Sequence, residues 1–166
     1  RHGVVHQHPF QRTRDHVVMS QITHIPLGAD MRAKVADLQK AMLAHIEPIE
    51  LDTKHRFHGG MYLREVFRPA DCLIVGKVHK KEHFYIVLSG TVVITTDDGV
   101  LEVTGPYIFE SAPGTKRAVY AKTDAVCITI HRVDTNSVED AEQELVEDDP
   151  DCVYLPGNKL APKELA

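Results

Sequence analysis

The stretch Gly76–Gly90, GKVHKKEHFYIVLSG, sets two histidines, His79 and His83, between two apolar runs. Residues four apart on one extended strand are about 13 Å apart, which is too far for both to bind one ion. The polar KKE between them is typical of a turn, so that His79 ends one strand and His83 begins the next. Two histidines that face each other across the mouth of a barrel can share a metal.

Outward from this stretch the hydrophobic pattern has a period of two. Segments such as GGMYLREVFR, TVVITTDDG and AVCITIHRV are rich in Val, Ile, Tyr and Thr, and Gly, Pro and Asp separate them. Roughly eight such strands at spacings of about 8–12 residues predict a sandwich or a closed barrel. The TTDDGVLEV segment predicts a hairpin with an Asp-Gly turn.

Several of these strands, for example CLIVG and FYIVL, are apolar on both faces. One face fills the barrel, and the other needs cover from the N-terminal helix or from a second subunit. The pattern therefore predicts a homo-oligomer.

The segments that flank the strands differ from them. Residues 1–29 have no clear period and predict an extended arm, in which a cluster of histidines is a weak metal-site candidate. Residues 30–47 carry an apolar stripe at helical spacing, which predicts a helix packed on the core. The arm histidines are His2, His6 and His8, and the stripe is Met31, Val35, Leu38, Met42 and Ile46.

At the other end, residues 134–166 predict a short acidic helix followed by a loose, proline-broken tail. Ser137, with Asp140 three residues on, forms a capping-box pattern. No Lys or Arg lies between Arg132 and Lys159, although the net charge of the whole chain is only −5. The body is therefore mildly basic and the tail acidic. This balance argues against nucleic-acid binding through a basic face and allows the tail to dock on its own body or on a neighbouring subunit.

Length and composition place further bounds on the chain. Its 166 residues suit one domain with extra arms. No apolar run approaches the roughly 20 residues that span a bilayer, and no secretory signal is visible, so we expect a cytoplasmic protein that does not bind membranes. Cys72, Cys127 and Cys152 are odd in number and widely spaced, which predicts free thiols.

The opening stretch resembles the first motif of the cupin superfamily, G-x5-H-x-H-x3–4-E-x6-G, with Gly90 as its last glycine. The ligand positions of that motif fall on Lys77, His79 and His83. The second motif, P-x-G-x2-H, falls on residues 112–117 and ends on Arg117. The resemblance covers about residues 60–132. It implies an all-β dominated fold with a single cupin barrel (double-stranded β-helix or jelly roll) over residues 59–133.

Two of the four matched ligand positions hold cations, Lys77 and Arg117, which oppose a divalent ion. The same residues, with two imidazoles as further donors, suit a carboxylate or phosphate. Tyr85 shares strand parity with His83 and would add a phenol to the cavity. The candidate ligand-binding residues are therefore Lys77, His79, His83, Tyr85 and Arg117. In a purely structural alternative, Lys77 and Arg117 pair with Glu65, Glu82 or Glu110 and seal the barrel end.

The function that these substitutions favour is a non-enzymatic binding or assembly module with a degenerate metal site, which takes a small anionic ligand and no cofactor. The chain also resembles small single-domain cupins of tailed phages and some bacteria. That resemblance implies a structural or host-interaction role, with other virion or assembly proteins as partners and the virion as its location.

Two alternatives remain open. In the first, the chain is a metal-dependent cupin oxygenase or isomerase, in which His79, His83 and His131 hold Fe, Mn, Ni or Zn; this requires His131 to point into the barrel. In the second, it is a metal-free enzyme for sugar nucleotides, with His83 or His131 and Tyr85 or Tyr120 as acid and base. Two further histidines, His55 and His58, could reach the barrel rim or form a turn.

Overall fold

The computed structural model describes residues 31–162. The arm of residues 1–29 and its histidine cluster lie outside the described residues. Within residues 31–162 the elements are, in chain order, α1 (Met31–His45), β1 (Thr53–His58), β2 (Met61–Arg68), β3 (Leu73–Val75), β4 (His83–Ser89), β5 (Thr91–Thr96), β6 (Gly99–Thr104), β7 (Tyr107–Ser111), β8 (Ala118–Ala121), β9 (Ala125–Arg132), α2 (Val138–Leu145), β10 (Tyr154–Leu155), a 3₁₀ turn (Pro156–Asn158) and β11 (Lys159–Leu160).

Strands β2 to β9 pair like one long folded hairpin: β2 with β9, β3 with β8, β4 with β7 and β5 with β6, all antiparallel. Its tip is the turn at Asp97 and Asp98, where the Asp-Gly hairpin was predicted. Further pairing of β4 with β9 and β5 with β8 yields two sheets, ordered β1-β2-β9-β4-β7 and β3-β8-β5-β6. This pairing defines a jelly roll. The predicted cupin-type barrel with an N-terminal and a short acidic C-terminal helix is confirmed.

The first sheet begins earlier than the predicted barrel start at residue 59. Strand β1 pairs with β2 from Thr53 opposite Val66 to His58 opposite Met61. It therefore adds an edge strand to the sheet, in a segment that the sequence pattern places before the barrel.

The glycine that ends the first motif is required by the backbone. Gly90 has a φ of 82°, and a Cβ at this position would lie 2.2 Å from the carbonyl oxygen of Asp124. Both the positive φ and the close approach exclude larger residues. The glycine thus lets the chain turn sharply between β4 and β5.

The core of the barrel lies between the inner faces of the two sheets. Val87, Val92, Ile94, Ala121 and Cys127 are essentially inaccessible to solvent there. The outer face of the five-stranded sheet is also apolar but open. Among its side chains, Phe67, Phe84, Leu88 and Ile108 are 40–62% exposed. The homo-oligomer expected from the two-faced strands stays a prediction.

Helix α1 forms where it was predicted, and its apolar stripe is partly buried: Met31, Leu38 and Met42 are half-buried. Only Val35 is buried along the helix, and Ile46, just beyond it, is 55% exposed. Met42 and Ile46 line a cavity between the helix and the barrel. The predicted packing of the stripe is therefore present in part: the stripe is the less exposed face of the helix, but its C-terminal end borders a cavity instead of core.

The predicted cap of the acidic helix α2 is confirmed. The Ser137 hydroxyl accepts a hydrogen bond from the backbone N–H of Asp140 at 3.2 Å, and Ala141 and Leu145 are buried. The prediction of a loose tail is wrong. The C-terminal segment, residues 134–162, lies against the barrel mouth, where Val146 forms an isolated antiparallel β-bridge with His79. The segment ends in the β10–β11 hairpin.

None of the helices in the described part of the chain is long and apolar enough to cross a membrane.

Candidate metal and anion site

Three histidines meet inside one end of the barrel. The ring centroids of His79, His83 and His131 are 4.1–4.9 Å apart, and each ring offers a ligand atom within 4.8 Å of the others. All three side chains are buried, with residue exposures of 3–8%. Such a set is able to hold a metal ion from one side.

The strand ladder explains why these residues meet. Phe84 on β4 pairs with Ile130 on β9, so the neighbouring His83 and His131 share the inward face at the end of this ladder. His79 lies in the connection before β4. Its N–H donates to the Thr115 carbonyl at 3.3 Å and its carbonyl accepts from the Gly114 N–H at 2.7 Å. His131 points into the barrel, as the three-histidine alternative requires.

The cluster is electrically neutral at pH 7. Burial lowers the pKa of His83 to about 4 and the pKa of His131 to about 3. Burial, then the neighbouring His83, also holds the pKa of His79 well below its usual value. The positive charge of Arg64 acts in the same direction on all three. Neutral imidazoles keep a free lone pair, which is the form that binds metals.

The hydrogen bonds of the rings fit the same role. The Nδ1–H of His83 donates to the Lys81 carbonyl at 3.3 Å, which leaves Nε2 as the lone-pair nitrogen. This arrangement is common for metal-binding histidines. Among the described residues, nothing forms a hydrogen bond with the buried Nδ1 atoms of His79 and His131. Three nitrogen donors of this kind suit Fe, Mn, Ni or Zn.

Beside the cluster lies an inner cavity of about 50 Å³, large enough for a few water molecules or a small anion. Its wall contains His79, His83 and Tyr85, and three arginines, Arg64, Arg68 and Arg117. No Asp or Glu is among the described residues that line it. The cavity is therefore strongly electropositive.

The buried polar atoms without a partner are concentrated at this one place. Within residues 31–162, each such side-chain atom belongs to the histidine cluster or to the wall of the inner cavity. Buried polar groups normally have partners, so this concentration indicates a place for a ligand or for ordered water. The atoms are Arg64 Nε, Arg68 Nε and Nη1, His79 Nδ1, Tyr85 Oη, Arg117 Nε, Thr129 Oγ1 and His131 Nδ1.

Arg117 is held in place by the strand ends around it. Its Nη1 donates to the Thr95 carbonyl at 2.9 Å, and its Nη2 donates to Ser111 Oγ at 3.0 Å. The guanidinium also lies over the Phe109 ring, 5.5 Å from its centroid. Burial lowers the pKa of Arg117, but a guanidinium stays charged in proteins.

Tyr85 points into the cavity, as its parity predicted. It is 6% exposed, and the guanidinium of Arg68 lies 5.8 Å from its ring centroid. Burial raises the pKa of Tyr85, so the phenol is protonated and its hydroxyl is a donor.

Lys77 lines the cavity, but its charge is already paired. Its Nζ lies 2.6 Å from a carboxylate oxygen of Glu142, and the two side chains are 16% and 5% exposed. Glu142 also accepts from the Gly157 N–H at 2.8 Å. The partner comes from the C-terminal segment and is none of the three glutamates considered from the sequence. Of those, Glu65 pairs with Lys54 and Arg56 instead.

Other residues considered from the sequence lie away from the cavity. The Tyr120 hydroxyl donates to Asp71 at 2.6 Å, and Tyr120 therefore does not pair with a cavity histidine. His55 Nδ1 is 2.6 Å from the Tyr62 hydroxyl, and the exposed His58 ends β1 before a glycine turn. The three cysteines are free, as predicted; only Cys127 is buried, and unlike the residues above it lines the inner cavity.

Sequence reasoning missed Arg64, Arg68 and Thr129. Along β2 the inward residues are Tyr62, Arg64, Val66 and Arg68, so polar and apolar side chains alternate within the inner face itself. A signal was present, because two arginines in YLREVFR share one parity with a tyrosine and a valine. The sequence of β2 alone does not show which of its two faces points into the barrel.

Fold and site together define a jelly-roll protein of the cupin type with a buried three-histidine cluster. Similar solved structures include a cupin superfamily protein from Desulfitobacterium hafniense, with 16% identity, 54% of this chain and 84% of that chain covered, and a TM-score of 0.44. A cupin protein from Bacteroides fragilis has 19% identity, with 55% of this chain and 85% of that chain covered and a TM-score of 0.43. A cupin-2 domain protein from Shewanella frigidimarina has 13% identity, with 62% of this chain and 99% of that chain covered and a TM-score of 0.42.

No protein-family model matches the chain, and neither does any curated protein. At these identities and TM-scores, the cupin-type fold rests on the strand pairing within the chain itself.

Proposed function

We propose that the barrel is a metal-dependent site for a small organic acid. His79, His83 and His131 would hold one divalent Fe, Mn, Ni or Zn ion, and the arginines would bind the carboxylate beside it. This is the metal-dependent alternative raised by the sequence, and the type of reaction, oxygenase or isomerase, stays a prediction.

The observation that carries the proposal is the concentration of unpartnered polar atoms in the barrel interior. Three imidazoles offer lone pairs, and Arg64, Arg68 and Arg117 offer positive donors in a cavity whose described lining holds no carboxylate. A metal and an anion together satisfy both sets. Each also offsets the charge of the other, so we expect the two to bind cooperatively.

The residues of the chain divide the task. The guanidinium forks orient a carboxylate, and the Tyr85 hydroxyl donates a hydrogen bond to it. The packed strands behind them exclude bulk water, which strengthens these interactions. A bound metal would act as a Lewis acid toward an oxygen of the ligand.

A second candidate is the metal-free, non-enzymatic binding module favoured by the sequence. The observation in its favour is the positive charge of Arg64 and Arg117, which acts on the histidines and opposes a cation. In that case the arginines bind an anion alone. An assembly role and a virion location stay predictions of the sequence.

Metal analysis separates the two candidates. The full chain is purified without a metal-affinity column, and its metal content is measured by mass spectrometry. We expect about one ion per chain, lost in His79→Ala and retained in His58→Ala, an exposed histidine outside the cluster. A chain that takes up no metal from Fe²⁺, Mn²⁺, Ni²⁺ or Zn²⁺ contradicts the metal-dependent function.

Acetate titration tests the anion site. By calorimetry, the Kd for acetate should rise at least about tenfold in Arg68→Gln, because charge-assisted hydrogen bonds are lost. Lys122→Gln is the matched control, since Lys122 is exposed and paired with Glu102. An equal Kd in both variants contradicts the anion site.

The homo-oligomer is proposed on the open face of the five-stranded sheet, with a second copy of the chain as its cover. The exposed Phe84, Leu88 and Ile108 support it, because apolar patches of this kind usually mark interfaces. Sedimentation velocity should give a dimer or larger species for the wild type and a monomer for Phe84→Asp. A monomeric wild type excludes the proposal.

A further inference from the structure

A second, larger cavity of about 370 Å³ lies outside the barrel, under helix α1. Its volume falls within the range of small-molecule sites. The walls come from α1 and the residues that follow it, from β2 and the edge strand β3, and from the C-terminal segment, and they are mostly apolar. Among the lining residues are Met42, Leu43, Ile46, Leu73, Val75 and Val153.

Helix α1 leaves this space open. Leu43 is 38% exposed and Ile46 is 55% exposed, although both line the cavity. Polar contacts nearer its N-terminus hold the helix in place: Arg32 pairs with Glu147 at 2.5 Å, and the Gln39 amide donates to Asp149 at 3.2 Å. An apolar space therefore remains between the helix and β3.

One wall of the outer cavity is also a wall of the inner cavity. Arg64 and Arg68 line both, and within residues 31–162 Arg68 Nε and Nη1 and Arg64 Nε have no partner. Four acids also line the outer cavity, Glu47, Asp71, Asp149 and Asp151, and two of them have cation or hydroxyl partners. Asp149 pairs with Lys116 at 2.9 Å, and Asp71 accepts from Tyr120. The apolar space thus has unpaired positive charge at the end that faces the barrel.

We propose that the two cavities bind one amphipathic ligand, an aliphatic monocarboxylic acid. Its carboxylate lies on Arg64 and Arg68, and its hydrocarbon chain lies under α1 against β3. The proposal rests on the anion site proposed above and adds the class of ligand that the site takes. Charge complementarity at one end and apolar walls at the other select this class over a small polar acid.

Calorimetric titration of the full chain with butyrate, hexanoate and octanoate tests the proposal. The Kd should fall about fourfold for each added methylene group, as expected for burial of CH₂. The uncharged 1-octanol should bind at least about tenfold more weakly than octanoate, because it lacks the charge that pairs with the arginines.

Two variants locate the hydrocarbon chain. Ile46→Asp places a charge in the apolar wall at an exposed position and should remove the dependence on chain length while the affinity for acetate stays unchanged. Val100→Asp is the control, since Val100 is 46% exposed on β6 and lines neither cavity. It should leave the whole series unchanged.

The outcomes separate this inference from the function on which it rests. Acetate binding that depends on Arg68, with no gain from butyrate to octanoate, overturns the inference and leaves the anion site intact. Equal binding of 1-octanol and octanoate also overturns it. No binding of any acid from acetate to octanoate overturns both.

Discussion

Two sets of buried or half-buried cations lie within one small region, and they differ in their partners. At the barrel mouth, Lys77 and Lys116 each hold a carboxylate of the C-terminal segment, at 2.6 and 2.9 Å. Inside the barrel, Arg64, Arg68 and Arg117 face no carboxylate in the described wall of the inner cavity.

The difference follows from reach. The acidic segment lies across the mouth, where Glu142 and Asp149 meet the lysines, but its side chains do not line the barrel interior. Its acids neutralise the rim and leave the interior positive. The unpaired charge of the interior arginines is available to a ligand. Replacing a rim lysine should therefore lower the stability of the protein, whereas replacing an interior arginine should raise it.

The largest effect is expected for Lys77→Met. It leaves Glu142, which is 4% exposed, without its cation, and breaking a buried pair should lower the free energy of unfolding by about 3 kcal/mol. Urea unfolding measures the change. The double variant Lys77→Met/Glu142→Gln should recover part of the loss, since a neutral amide needs no counter-charge. A single variant as stable as the wild type would remove the distinction between rim and interior.

A second effect tests the other buried rim pair. Asp149→Asn removes the charge that faces Lys116, whose side chain is 4% exposed, and should lower stability by about 2 kcal/mol at pH 7. The expected loss is read from the urea midpoint, with Asp148→Asn as the neighbouring control.

The same pair predicts a dependence on pH. Burial raises the pKa of Asp149, but the hydrogen bonds from Lys116 and Gln39 together outweigh burial, so the pKa is lowered overall. A carboxylate with a depressed folded pKa contributes stability above its unfolded value, near 3.8, and that contribution is lost as the pH falls through the folded pKa. Below pH 4 the gap between wild type and Asp149→Asn should close. A constant gap from pH 7 to pH 3 would contradict this assignment.

Arg68→Met should behave in the opposite way. Because this buried guanidinium has no acidic partner in the described part of the chain, a methionine of similar length should keep the packing and raise stability by about 1 kcal/mol. Thermal and urea unfolding in the absence of ligand measure it. A loss as large as that of Lys77→Met would show that Arg68 is a structural cation like the rim lysines.

The smallest effect is expected for an exposed pair. Lys122 and Glu102 are 45% and 54% exposed, so Lys122→Ala should change stability by less than about 0.5 kcal/mol. This variant sets the scale for the comparison: a larger change would mean that burial does not account for the difference between the pairs.

The fold was readable from the sequence because its signals are local. Alternation with period two marked the strands, Asp98 and Gly99 marked the hairpin at its tip, and Ser137 marked the start of α2. Gly90 marked a position where no other residue fits. The alternation, the turn and the cap depend on neighbours within a few residues, so sequence pattern and structure agree there, whereas the close approach at Gly90 involves the distant Asp124.

The candidate site was readable only in part. His79 and His83 follow from one turn, but the histidine cluster is completed by His131, because β9 lies between β2 and β4 in the sheet. The arginines of β2 look like the solvent side of an alternating strand, and only pairing with β9 turns them inward.

The sequence by itself determined the strands, their turns and the acidic C-terminal helix, since backbone propensity and alternation act over short distances. The tertiary structure alone decided which charges are paired. Lys77 finds Glu142 65 residues away, whereas Arg68 finds no acid across the inner cavity. The physical reason is that pairing depends on which surfaces the folded chain brings together, and a charge carries no local mark of its distant partner.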